Sequence, residues 1–178
     1  VPHGLELVID YVNTLDIEEQ TDAISAPEQL GAWLAEHHVL AAGTRVSQRE
    51  HAGALRLREA LRALMLANNE GAPGPDAAWA EIERAAREGD LGVHFEPREG
   101  VQLAPGREGA AGAIAQLLVP LAAAIGDGSW ARVKACRAAD CEWAFYDRSR
   151  NRSGVWCEMA VCGNRTKVRA YRTRESRR

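Results

Sequence analysis

Cys136-Arg-Ala-Ala-Asp-Cys141 and Cys157-Glu-Met-Ala-Val-Cys162 contain every cysteine of this chain. Fifteen residues separate the two pairs. Each pair can fold into a knuckle presenting two thiolates, and two such knuckles satisfy a tetrahedral all-thiolate zinc ion. Four thiolates leave no open position for water, so the pattern describes a structural metal and not a catalytic one. The spacing is also wrong for a redox Cys-x-x-Cys motif. The second pair runs directly into the basic stretch Gly163-Asn-Arg-Thr-Lys-Val-Arg-Ala-Tyr-Arg-Thr-Arg174. A metal-stapled module carrying a cationic helix points to nucleic acid.

Charge divides the chain in the same place. Residues 132–178 carry 13 Lys and Arg against 5 Asp and Glu, a net of +8, whereas residues 1–131 carry 9 against 20, a net of −11. Any phosphate-binding surface is therefore expected in the C-terminal part, because the acidic body repels phosphate. At 178 residues there is room for one domain of ordinary size and a small appendage. The most apolar run, 110–125, is interrupted by Gly112, Gln116 and Pro120 and falls short of the roughly 20 residues of a membrane span. A cytoplasmic setting with no membrane partner is expected, with cysteines reduced and available to metal. The chain begins at Val1, so a few residues before it are expected to be missing.

Upstream, the pattern reads as helical. Leu5, Val8, Val12 and Leu15 share one face at helical spacing. Ser25-Ala-Pro-Glu28 has the form of a capping box opening a helix with Leu30, Trp33, Leu34 and His37 inward. Ser47-Gln-Arg-Glu50 opens a longer helix, with Ala54, Leu57, Leu61, Leu64 and Met65 inward and Arg56, Arg58, Glu59 and Arg62 outward. After the loop Gly71-Ala-Pro-Gly-Pro75, a fourth helix capped by Asp76 runs through Trp79, Ile82 and Ala86 to Gly89. Residues 91–95 and 101–103 alternate as a β-hairpin. Residues 109–125 form an Ala/Leu-rich helix bent or restarted near Pro120.

In the C-terminal part, 130–134 and 143–145 suit short strands, and a helix is expected from about Gly163 to Thr173. Arg165, Arg169 and Arg172 would form an i, i+4, i+7 stripe on it. The alternative for that stripe is a solvated tail. Arg148, Arg150 and Arg152 in the loop between the knuckles could add phosphate contacts. Trp143, Phe145, Trp156 and Tyr171 are read as the module's small core in preference to a base-stacking surface. The fold class expected is α+β: a mainly helical regulatory domain with a small β-hairpin over residues 1–126, able to fold alone, and a four-cysteine finger with short strands and one basic helix over residues 130–178.

Cys162-Gly-Asn-Arg165, preceded by Trp156-Cys157 and followed by Lys167, Arg169, Tyr171 and Arg172, resembles the CGNR zinc-finger family. Cys141-x-Trp143-x-Phe145-x-Asp147-Arg148-Ser149 fits the same pattern. Val12-Asn13-Thr14-Leu15-Asp16 resembles the opening of the ABATE-like domain that family carries, described as a "putative stress-induced transcription regulator". The resemblance implies a bacterial protein that binds Zn2+ through Cys136, Cys141, Cys157 and Cys162 and binds DNA. Arg148, Arg150, Asn164, Arg165, Lys167, Arg169, Arg172 and Arg174 are the expected nucleic-acid residues. One departure is visible: the family has basic residues before its Trp-Cys, where this chain has Gly154 and Val155.

In the N-terminal domain, Asn13, Thr14 and Asp16 form a polar cluster at the end of an apolar helix. It reads either as capping and local hydrogen bonding or as a pocket for a small-molecule effector. A homodimer reading two half-sites is a further expectation. The histidines have no partners at recognisable spacing, and no nucleophile elbow, phosphate loop or metalloprotease motif appears. No catalysis is inferred. Two other readings remain: a protein-interaction adaptor using the finger, and an RNA-binding protein.

Overall fold

A computed structural model describes residues 1–2, 4–98 and 100–168. The order is α1 (Leu5–Val12), the short ribbon β1 (Leu15–Asp16) and β2 (Thr21–Asp22), α2 (Pro27–Glu36), α3 (Gln48–Ala67), α4 (Asp76–Glu88), the hairpin β3 (Leu91–Glu96) and β4 (Gly100–Pro105), α5 (Gly109–Gln116) and α6 (Leu118–Gly126). A 3-10 turn (Ser129–Arg132) leads to β5 (Val133–Ala135) and β6 (Ala144–Tyr146), and a π-turn (Met159–Gly163) leads into helical residues 164–168. Among the described residues, the strands form three separate antiparallel pairs. The architecture is α+β, as the sequence implied.

Helix α3 is the axis. Ser47 and Glu50 close its capping box reciprocally, Glu50 N donating to Ser47 Oγ at 3.2 Å and Ser47 N to Glu50 Oε2 at 2.8 Å. All five residues expected inward on α3 are buried. The box of α2 is displaced by one residue. Pro27 takes the first helical position, and Gln29, not Glu28, accepts from Ala26 N and Ser25 Oγ. The long apolar segment breaks at Leu117, three residues before Pro120. Proline has no N–H for the Gln116 carbonyl, so the helix ends there and restarts. Residues 109–126 are long and apolar enough by composition to cross a membrane. Here they are two helices contributing Ala110, Ala113, Ile114, Leu118 and Leu121 to the core.

Two expectations for α3 fail. Arg58 and Arg62, assigned outward, are 4% and 2% exposed. Helix α3 is covered on more than one side, and the two guanidinium groups satisfy buried acceptors there. Arg58 pairs with Asp22 through two bonds of 2.7 and 2.9 Å. Arg62 donates to Val12 O at the end of α1 (2.8 Å) and to Glu142 O (2.9 Å).

The core is continuous. One cluster of buried side chains runs from Leu5 and Val8 through Leu57, Leu61 and Leu117 to Trp130, Val133, Ala135 and Ala144. Side-chain amides complete the junction. Asn68 Nδ2 donates to Trp130 O and Val133 O, and Asn69 Nδ2 to Ala135 O. Asn13 pairs with Ala144 as a strand would, donating to its carbonyl at 3.0 Å and accepting from its N–H at 2.7 Å. A chain ending at Gly126 is expected to melt well below the full chain. It loses Trp130 and Val133 from the core, at about 1.5–3 kcal/mol for each large apolar side chain. Equal melting temperatures by circular dichroism would show two independent units instead.

Candidate metal centre

The first knuckle leaves β5 and turns tightly. Cys136 N donates to Trp143 O, Cys141 N and Glu142 N to Ala138 O, and Glu142 takes a left-handed backbone with φ 49°. The second is closed by Cys162 N and Gly163 N, both donating to Glu158 O. Gly163 packs closely there: a Cβ would displace the half-exposed Met159 side chain and lie 3.2 Å from Trp156 Cδ1.

These turns bring the four sulfur atoms within 4.8 Å of one another. Cys141–Cys157 and Cys157–Cys162 are each 3.6 Å apart. A tetrahedron with Zn–S bonds of about 2.3 Å has edges of about 3.8 Å, so the cluster has the size and donor set for zinc. Cys136, Cys141 and Cys162 are buried and Cys157 half-buried.

The electrostatics agree. Burial pushes the Cys141 thiol up to about 11, although hydrogen bonds from Trp143 N–H and Cys157 oppose it. Burial, then its bonds with Cys141 and Cys162, raises Cys157 further. Cys136 is also raised by burial, but hydrogen bonds, first those from the Cys157 and Ala138 backbones, outweigh this and hold it below the ordinary value. Four thiolates in this space call for a cation.

Around the cysteines, the finger is braced by a buried ion pair that the sequence reading did not single out. Lys134 Nζ donates to Asp147 Oδ2 (2.9 Å), Arg152 O (2.6 Å) and Gly154 O (2.9 Å). Asp147 also accepts from Ser149 N and Gly154 N. Burial would raise this carboxyl, but hydrogen bonds from Ser149 and Lys134 dominate and hold it at about 2. A Cβ on Gly154 would stand 2.9 Å from Asp147 Oδ1, which explains why this chain has glycine there. Arg132 donates to Asp147 O and Ser149 O and fixes the same loop.

Arg148, Arg150 and Arg152 are exposed on this braced loop, and Asn164 and Lys167 on the following helix. Asn164 Nδ2 donates back to Ala160 O at 3.1 Å. Arg165 departs from the expected outward stripe. It pairs with Glu18 of the β1–β2 turn at 2.5 and 3.2 Å, lies 3.6 Å from Asp140, and donates to Cys162 Sγ at 3.4 Å. The carboxylates and sulfur beside it attract the guanidinium inward. Arg169, Arg172, Arg174 and Tyr171 lie outside the described residues.

The structure also engages the proposed effector cluster. Asn13 holds β6, Thr14 Oγ1 donates to Tyr11 O and accepts from Arg58, and Asp16 Oδ1 accepts from Glu19 N. Asn13 and Thr14 are taken up by these local and inter-segment bonds, whereas Asp16 also lines a small cleft of about 210 Å³ with Glu18, Trp143 and Val161. Of the aromatic residues, Trp156 packs on the cysteine cluster, Phe145 is half-buried, and Trp143, at 37% exposed, is not core.

A family model described as "CGNR zinc finger" matches residues 132–175. A second, ABATE, described as "Putative stress-induced transcription regulator", matches residues 5–127. The chain belongs to the ABATE family and carries a CGNR zinc finger. No curated protein matches it. Both family descriptions are regulatory or metal-binding, not enzymatic. Within this ABATE-family chain, the two matched segments meet at the Asn13–Ala144, Arg62–Glu142 and Arg165–Glu18 contacts.

Proposed function

We propose that this ABATE-family chain is a zinc-dependent, DNA-binding transcription regulator of the bacterial cytoplasm. Cys136, Cys141, Cys157 and Cys162 hold one Zn2+, and the finger carries the DNA-binding surface. The observation that carries this reading is the braced loop. Arg148, Arg150 and Arg152 stand exposed on a segment whose backbone is pinned by Lys134, Asp147 and Arg132, and Lys167 is exposed on the helix after the second knuckle. Fixed, exposed guanidinium groups suit phosphate contact, and the basic sequence 169–178 adds to the same end of an otherwise acidic chain.

Effector response and homodimerisation belong to this proposal. Beside the Asn13, Thr14 and Asp16 cluster, a second place for the effector is a cleft of about 760 Å³ between the α2–α3 loop and α5, lined by His38, Leu40, Thr44, Arg107 and Gln116. That volume lies in the range of small-molecule sites. The adaptor reading draws on a different observation: Trp143, Met159, Val161 and Val168 are exposed around the second knuckle, an apolar rim suited to a protein partner.

The test is fluorescence anisotropy of the zinc-loaded chain with mixed-sequence duplex DNA at about 50 mM salt, where phosphate contacts are strong. Binding is expected, weakening with salt at a log–log slope of roughly −4 to −5 for about four to six phosphate contacts. Preference for duplex RNA would favour the RNA-binding reading. No binding to either would leave the adaptor.

A further inference from the structure

Arg165 is the arginine of the Cys-Gly-Asn-Arg motif, yet every edge of its guanidinium faces the protein. Nη1 and Nη2 meet the two oxygens of Glu18, Nη2 also reaches Cys162 Sγ, and Nε faces Asp140. Glu18 comes from the other end of the chain and is firmly presented. Its turn is closed by Glu19 N donating to Asp16 Oδ1, and the ribbon is anchored through Asp22 to the buried Arg58 of α3. The helical body therefore sets where this carboxylate stands.

A carboxylate and a phosphate engage a guanidinium through the same paired N–H donors. The two cannot occupy that edge together. We propose that Glu18 is a latch on the DNA-binding face: in the free protein it occupies the position on Arg165 that a DNA phosphate takes, and binding requires its displacement. This deepens, and rests on, the DNA-binding reading above. The pair is suited to exchange. The side chains of Arg165 and Glu18 are 25% and 45% exposed, so solvent and phosphate reach them, and ion pairs of such exposure are weak. Because the turn is tied through Asp22 to α3, a shift of the body moves Glu18 and changes how much of the arginine is free.

The experiment compares duplex affinity at about 50 mM salt for five zinc-loaded full-length chains: wild type, Glu18→Gln, Glu19→Gln, Arg165→Gln, and Glu18→Gln with Arg165→Gln. Zinc content confirms an intact finger in each. Glu18→Gln is expected to tighten binding about two- to fivefold, the factor corresponding to a partly exposed ion pair. Glu19→Gln removes the same charge one residue away and is expected to do markedly less. In the Arg165→Gln background the gain from Glu18→Gln should vanish. Equal gains from Glu18→Gln and Glu19→Gln, or a gain that survives without Arg165, would make Glu18 only a diffuse negative charge and overturn the latch. Weaker binding by Glu18→Gln would make the pair a strut for the helix and overturn it too. Wild-type binding with no gain in Glu18→Gln sinks the latch alone. Absence of duplex binding by all five chains sinks the DNA-binding reading as well.

Discussion

Replacing Cys162 by serine is expected to abolish zinc binding and to unfold residues 136–168 together, while the helical circular-dichroism signal of α1–α6 persists. On the zinc-binding reading, the metal should supply most of the stability of this segment. Its cluster of buried residues consists of Cys136, Ala138, Cys141 and Cys162, with Trp156 and Cys157 against it, too little interior to order about 30 residues. Zinc binding is worth on the order of 10–16 kcal/mol in finger peptides, and a hydroxyl at one vertex forfeits a thiolate ligand. Trp130, Val133 and Ala135 lie in the core of the helical body, so the edge of unfolding should fall near Ala135 and not at Gly126. Elemental analysis should give one zinc per wild-type chain and almost none in the variant. Hydrogen exchange should show amides 136–168 losing protection. A variant that keeps protection there without metal would refute the zinc-dependent finger.

Lys134→Met should lower stability by about 3–5 kcal/mol, the cost of leaving one member of a buried ion pair without its partner. Lys134 and Asp147 have side chains only 2% and 3% exposed, and the ammonium also holds the carbonyls of Arg152 and Gly154. Acidification is no substitute for the mutation. With the folded carboxyl at about 2 against an ordinary 3.8, the pair's contribution is complete above roughly pH 4 and disappears only as the pH falls through about 2. Thiolates lose zinc to protons well before that. Chemical denaturation near neutral pH is therefore the measurement. The double variant Lys134→Met with Asp147→Leu should recover part of the loss, because an apolar pair leaves no stranded charge. A loss below about 1 kcal/mol for Lys134→Met would mean that the pair is solvated in solution.

The clustering of the four cysteines was legible because its information is local. Two knuckles of fixed spacing specify four sulfur positions almost without regard to the remainder of the chain. Helical faces were legible for the same reason, and all five inward positions on α3 were assigned from periodicity. What the sequence did not reveal lies in contacts between distant segments. Arg58 and Arg62 look like outward helix arginines, because a pattern of charges does not show that a second layer covers that face. Asn13 and Arg165 look available for ligands, because their partners, Ala144 and Glu18, are 131 and 147 residues away. Lys134 between Val133 and Ala135 was the readable clue to the buried pair, since a charged residue in a short apolar strand needs a counterion.

The junction between body and finger has a consequence for how such a protein can change. Asn13, Arg62, Asn68 and Asn69 grip the finger by its main chain, at Ala144, Glu142, Trp130, Val133 and Ala135. A peptide group offers the same donor and acceptor whatever side chain it bears. At these grips the finger's attachment is blind to its own sequence. Exposed residues such as Arg148, Arg150, Asn164 and Lys167 take no part in the grip and can be exchanged without unseating the finger. On the DNA-binding reading, target choice can drift while the mounting, and with it the direction in which the finger points, stays under the control of the helical body.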